Sequence, residues 1–324
     1  MRLEFWLPLC FVAAVIFAIP NMTHHRILFG CMVPRDFRLS PTGRKSIAEF
    51  RFAVAIAFAI TLCALVFAPR SFLSPVLIAG PVFIICTGIL MFLREHRRVA
   101  PFAFSPSHPR EAEVSNAPEK LPWFAWLAAG PFAILAAAAV FLYLHWSQIP
   151  TRFAVHWGLD GQPNRWSDRA LRGVYGPLFV AAAFCAFLLI CGLVVWFGAR
   201  RSHLRRVTLA SMIVAEYILA LLFAAVAMNI FLHVPMWAMS LGPLIFLVPV
   251  IVAMARASAQ PGDGPEITPE EAWKGGMIYY NPEDPALFVP KRFGLGYSLN
   301  YGNRWSWLFI GGIVLIAVVA PLLK

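Results

Sequence analysis

Charge is what this chain has least of. Asp, Glu, Lys and Arg make up 13% of its 324 residues, about half the share of a soluble globular domain. Hydrophobic residues make up 60%, and the mean hydropathy is +0.71. Such a balance excludes a disordered chain and a soluble enzyme. Cysteine pairing is missing too: the six cysteines form no CxxC and no Cys/His ligand spacing, so neither a disulfide scaffold nor a zinc site is expected. Cys10, Cys63, Cys86, Cys185 and Cys191 fall in apolar runs, where Cys behaves as a small apolar residue, and Cys31 lies between runs. Also absent are HExxH, a Walker pattern, a completed GxGxxG, a Ser/His/Asp set and paired carboxylates at workable spacing. No catalytic residue, cofactor or metal ligand is therefore assigned.

Long apolar runs are what the chain does have. Crossing about 30 Å of hydrocarbon takes roughly 20 apolar residues, and eight runs of suitable length lie near 4–19, 53–69, 72–93, 123–145, 175–198, 207–232, 236–255 and 305–323. The fold expected is an all-α polytopic transmembrane bundle of about eight spans. A signal-peptide reading of the first run lacks a convincing small-x-small cleavage site. The net charge of +11 punctuates these runs and forms no basic surface, so no nucleic-acid partner is expected. It reports topology instead. The segments 20–52, 94–122, 199–206 and 256–304 carry 20 of the 27 Lys and Arg, and short basic loops stay in the cytoplasm. Both termini are then expected on the extracytoplasmic side of a bacterial inner membrane. The organisation expected is three spans in 1–104, a Pro/Ser/Glu-rich linker 105–122, a four-span core 123–257, and a cytoplasmic block with the last span in 258–324.

Three places carry chemistry. Glu216 sits in the sixth run, roughly 5 Å from the midplane by helical rise. An intramembrane carboxyl is a functional candidate by default; a proton- or cation-coupled role and an interhelical hydrogen bond to Thr or Tyr are both open. The outer segment from Ser147 to Val174 keeps Arg152, Arg165, Arg169 and Arg172 on the side that disfavours them. Either it is structured or binds an anion such as a lipid headgroup, or its charge is incidental and balanced by Asp160 and Asp168. Within it, IPTRFAVHWGLDGQPNRW (149–166) reads as a turn-rich hairpin. Asp160-Gly161 and Pro163-Asn164 are its turn dipeptides, Trp157 and Trp166 suit a membrane interface, and His156 titrates nearest neutral pH. His156, Trp157, Asp160, Asn164, Arg165 and Trp166 are its candidate ligand contacts. The third place is EAWKGGMIYYNPEDPALFVPKRFGLGYSLNYGNRWSW (271–307). Asn281-Pro282 and Asp284-Pro285 force turns there because a pre-proline residue avoids the helical region. It is expected to pack on helix ends with Tyr279, Tyr280, Tyr297, Tyr301 and Trp305 at the interface, or to dock a cytoplasmic partner through Tyr280, Asn281, Asp284, Lys291 and Arg292. The first cytoplasmic loop, with six basic residues among apolar ones, is expected to lie along the inner surface, drawn by anionic lipid.

The outer string resembles the signature of a bacterial membrane family, the domain of unknown function numbered 1648, through Ile149, Pro150, His156, Trp157, Gly161, Pro163, Asn164 and Trp166, followed by Gly173-Val-Tyr-Gly-Pro177. Ala154 and Asn164 depart from the more usual Pro and Asp. The block 271–307 looks like a second segment, domain of unknown function 5808. The resemblance implies kinship with immunity proteins against a sporulation-delaying toxin, which protect the producer's membrane and can sequester a repressor. A non-enzymatic membrane binder of immunity or sensor type follows from it, with lipids, a peptide toxin and a cytoplasmic regulator as partners. A transporter built on Glu216 and helix-breaking prolines, or an accessory subunit beside other membrane proteins, are the alternatives.

Overall fold

A computed structural model describes residues 6–69, 72–103, 120–157, 162–199, 203–259, 268–292 and 295–312. Among them seven long helices run in chain order: α1 (Trp6–Met22), α2 (Pro41–Phe67), α3 (Leu73–Val99), α4 (Ala129–Leu144), α5 (Leu171–Gly198), α6 (His203–Leu232) and α7 (Met236–Ala259). An eighth helix covers 304–312. Four two-stranded antiparallel ribbons interrupt them: β1 (Ile27–Leu28) with β2 (Cys31–Met32), β3 (Arg152–Trp157) with β4 (Pro163–Asp168), β5 (Trp273–Lys274) with β6 (Ile278–Tyr279), and β7 (Phe288–Pro290) with β8 (Tyr297–Leu299).

Six helical segments are long and apolar enough to cross a membrane: Pro41–Phe67, Pro75–Phe102, Trp123–Leu144, Leu171–Gly198, Leu204–Leu232 and Leu241–Ser258. The protein is thus a mostly helical, multi-pass chain. The first apolar run forms α1, whose 17 residues rise about 25 Å, short of the hydrocarbon thickness; the run 305–323 is described only as far as residue 312. The third of the six segments, Trp123–Leu144, carries Trp123 and Trp126 at one end and Tyr143 at the other, all largely exposed, as interfacial aromatic girdles are. α2 begins twelve residues before the expected apolar run near 53. Ser40 caps it, accepting a hydrogen bond from Gly43 N at 3.1 Å, and Pro41 takes the first helical position, where its missing N–H costs nothing.

The chain divides into two compact units. One gathers the described residues of Met1–Leu9, Glu119–Val194 and Arg206–Ala253. Its core is a seam of residues three and four apart on α4 (Leu135, Ala138, Leu142), α5 (Val174, Leu178, Ala181, Cys185) and α6 (Ala220, Ala224, Ala227). The small residues let helices approach closely where no hydrophobic effect separates helix from lipid.

The other unit gathers the described residues of Cys10–Pro118, Val195–Arg205 and Met254–Lys324. It therefore joins α2 and α3 to the block after α7. Its polar end is assembled from all four segments that the charge count assigns to one membrane face. Phe29 (φ 47°) and Gly30 (φ 78°) make the two-residue turn of the β1–β2 hairpin, a left-handed pair matched to strand twist. Phe29 packs edgewise or tilted on Phe50 and Phe92. A Cβ on Gly30 would lie 2.5 Å from Gly276 O, so the hairpin and the β5–β6 turn meet backbone to backbone. His96, at the end of α3, places Nδ1 2.8 Å from Phe29 O and 3.3 Å from Cys31 Sγ. Leu287 N donates to Gly198 O at 3.0 Å, and Ala199 bridges Phe288 in parallel.

This assembly corrects the reading of the first loop as a lipid-facing segment. Thr23, His24, Ile27, Leu28, Cys31, Met32 and Val33 are all buried in protein. Arg38, counted as a surface charge, donates to Pro20 O at 2.8 Å and Thr23 Oγ1 at 2.7 Å, and also to Ile27 O. The last carbonyls of a helix and those on a ribbon edge need donors once buried, and one guanidinium supplies several in a fixed fork.

Candidate functional site

The β3–β4 hairpin is a well-anchored ribbon. Ile149 and Phe153 are buried in the α4–α5–α6 core, which explains the apolar start of the IP motif. Arg169 ties the base: its Nη1 donates to Ile149 O at 2.9 Å and Ser147 O at 3.3 Å. Gly173, at the start of α5, lies so near the ribbon that a Cβ would stand 2.5 Å from Asp168 O and 2.4 Å from Ser167 Oγ. Trp146 and Tyr175 stack at 6.1 Å. Of the four arginines of this segment, Arg169 is thus structural, and Arg152 lies 5.9 Å above the Trp166 ring, within cation–π range.

Strand register pairs Arg152 with Asp168, Ala154 with Trp166, His156 with Arg165 and Trp157 with Pro163. Irregularities fall between Ala154 and His156 and between His156 and Trp157; such bulges sharpen twist and re-aim side chains. Pro163-Asn164, expected in the turn, instead opens β4. Asn164, Arg165 and Trp166 are exposed along that strand. His156 and Trp157 are placed by backbone at the end of β3, and Asp160 lies outside the described residues.

Glu216 is fully buried in α6. Neither carboxyl oxygen has a hydrogen-bond partner among the described residues, so the expected Thr or Tyr bond is not found there. Its backbone carbonyl accepts from Cys185 Sγ at 3.5 Å, which ties α5 to α6 at this level.

The block after α7 separates the residues expected to meet a partner into two groups. Arg292 is completely buried. It pairs with Glu270, donates to Thr268 O at 2.8 Å, and lies 5.2 Å over the Trp273 ring. Asp284 accepts from Tyr279 OH at 2.8 Å through Oδ2 and from Ala286 N at 3.0 Å through Oδ1. Tyr279, expected at the membrane interface, is wholly buried. Both charged residues are thereby committed to the fold, and Asn281 is half-buried in the same network. Tyr280 and Lys291 remain exposed.

The residue that organises this block escaped the sequence reading. Asn300 is fully buried. Its Nδ2 donates to the carbonyls of Asn281 (2.8 Å), Asp284 (3.0 Å) and Ala286 (3.2 Å), and its Oδ1 accepts from the amides of Asn281 and Gly302, each at 3.0 Å. Its backbone closes the ribbon through Leu287 O at 2.9 Å and Ser306 Oγ at 2.6 Å. The nearest signal in sequence was the pair of Asn-Pro and Asp-Pro turns, which leave carbonyls that something must satisfy.

Two segments match described families. Residues 133–182 match the family model described as Domain of unknown function (DUF1648), and residues 282–307 match Family of unknown function (DUF5808). No curated protein and no solved structure matches the chain. The first match runs beyond the string 149–177 on both sides, into the ends of α4 and α5 that hold the hairpin. The second is shorter than the expected 271–307 and is centred on β7, β8 and the Asn300 network.

Proposed function

We propose that this multi-pass protein resides in a bacterial cytoplasmic membrane and acts as a non-enzymatic binder of immunity or sensor type. Its outer hairpin meets a membrane-active peptide, and its inner block engages a cytoplasmic partner. The observation that carries this reading is the contrast within the hairpin. Its base is clamped by Arg169, Ile149 and Phe153, while Asn164, Arg165 and Trp166 stand exposed on a ribbon that pairs with no third strand among the described residues. A rigid ribbon that displays aromatic and Arg side chains beside open strand edges suits capture of an extended peptide. Both termini lie outside in this reading, with eight spans. Its support is that described residues of the four basic segments meet one another in pairs: Gly30 with Gly276, His96 with Phe29 and Ala199 with Phe288. The cytoplasmic contact then falls to Tyr280 and Lys291.

The test is survival of cells that express the chain and are challenged with a panel of membrane-permeabilising peptides. Protection by the parent, lost in Arg165→Ala and Trp166→Ala and kept in Glu216→Gln, supports the binder. No protection against any peptide relative to an empty vector refutes it.

A second reading rests on Glu216, whose buried carboxyl without a partner among the described residues suits a proton-coupled permease. Proteoliposome proton flux that is equal in the parent and Glu216→Gln removes that reading.

A further inference from the structure

The first and last halves of α2 and α3 differ in chemistry, and a groove of about 380 Å³ runs between the two helices. Phe52, Ile56 and Ile60 of α2 and Phe83 and Met91 of α3 form its walls, with Ala57 as floor. Thr87 offers the groove no free donor, because its hydroxyl hydrogen goes to Phe83 O at 2.8 Å. Glu49 and Arg94 close one end.

The length of the groove selects its occupant. From Glu49 to Ile60 and from Arg94 to Phe83, each helix rises about 16 Å at 1.5 Å per residue. Half of a hydrocarbon core of about 30 Å is about 15 Å. The groove therefore spans one leaflet, from the polar boundary to the midplane, with its apolar walls exposed where an acyl chain lies.

The polar end selects the headgroup. Glu49 is shared by Arg98 at 2.8 Å, Arg94 at 3.0 Å and Lys45 at 4.0 Å. The buried Glu95 is shared by Arg98 at 3.3 Å and Arg94 at 3.8 Å. Three cations thus meet two carboxylates. The uncompensated charge is presented by the most exposed members, Lys45 and Arg94, whose side chains are 64% and 61% accessible. Arg44 and Arg97, also exposed, add positive potential on neighbouring turns, and basic side chains at this level attract anionic lipid.

We propose that the α2–α3 groove is a binding site for one anionic phospholipid, with an acyl chain along Ile56 and Phe83 and its phosphate between Arg94 and Lys45. The site is independent of the hairpin and of Glu216.

The experiment uses the full chain purified in detergent and follows thermal unfolding by tryptophan fluorescence as lipid is added. Dioleoylphosphatidylglycerol should raise the midpoint in a saturable way. Dioleoylphosphatidylcholine and inorganic phosphate at equal concentration should not. Arg94→Gln and Lys45→Gln should each weaken the apparent affinity roughly fivefold, as expected for one basic contact near the surface. Ala53→Phe, which fills the groove, should abolish the lipid-dependent shift. Equal stabilisation by the phosphatidylcholine or by phosphate alone, or parent affinity in both Gln variants, overturns the proposal. Among the described residues Lys45 makes one ion pair, at 4.0 Å, so its variant stays informative if Ala53→Phe fails to fold.

Discussion

Replacing Asn300 should open the inner block while leaving the spans intact. Two amide hydrogens on Nδ2 face three carbonyls between 2.8 and 3.2 Å, and Oδ1 takes two amides at 3.0 Å. The side chain thus makes three two-centre hydrogen bonds and one bifurcated bond, in which a single Nδ2 hydrogen serves two carbonyls. At about 1 kcal/mol net per bond, with a further penalty for buried groups left without partners, Asn300→Ala should cost about 3–5 kcal/mol locally. Opening by 3 kcal/mol corresponds to roughly a hundredfold faster hydrogen exchange over 281–302, since each 1.4 kcal/mol is tenfold. Asn300→Asp separates hydrogen bonding from shape. It keeps the acceptor but turns an oxygen toward three carbonyls, so the carboxyl's folded-state pKa must rise above the ordinary value of about 4. An acid whose folded pKa is raised destabilises the fold above that pKa, and the deficit shrinks as pH falls through it. Exchange by mass spectrometry, corrected for intrinsic rates, should show Asn300→Asp at least as open as Asn300→Ala at pH 7.5 and partly recovered at pH 5. Exchange within fivefold of the parent in Asn300→Ala, or a recovery on raising pH, would refute the hub argument.

Two further outcomes follow from the same geometry. Cys31 is buried beside His96, and burial, helped by Glu270 and opposed by Arg292, pushes its thiol up to about 12. At pH 7 the thiolate fraction is then roughly 10⁻⁵, so iodoacetamide should leave Cys31 unmodified between pH 7 and 9 until the protein is denatured; fast native labelling would show the packing to be wrong. For topology, a membrane-impermeant maleimide applied to intact cells should label Gln162→Cys and spare Glu283→Cys, and the opposite pattern would reject the charge-based orientation.

Much of the fold was legible because its signals are local. Apolar runs between 53 and 255 became α2 to α7, and the turn-rich string after Ile149 became a two-stranded hairpin, since helix in lipid and ribbon at a turn each depend on residues within one or two turns of chain. Ser40-Pro41 was equally local, a cap followed by the residue that best begins a helix, yet the charged turn after it masked the start of α2. The first apolar run became α1, an apolar helix of 17 described residues.

The candidate site was legible in outline only. The Pro163-Asn164 pair looked like a turn but stands in β4, because the ladder from Arg152–Asp168 onward outweighs a dipeptide preference. Asp284 and Arg292 looked like a docking surface because a charged residue in a loop is normally solvated. Burial reversed that for both: Tyr279 claims the carboxylate, and Glu270, Thr268 and Trp273 claim the guanidinium.

The sequence alone determined that this chain spans a membrane many times, and in which segments its charge collects, because apolarity over some 20 residues and the position of each Lys or Arg are properties of the chain itself. Only the tertiary structure decided that Gly30 meets Gly276, that Ala199 meets Phe288, and that Asn300 holds the turns around Asn281 and Asp284. Those partners are distant in sequence, and buried backbone groups select them by hydrogen-bond geometry that no local pattern encodes.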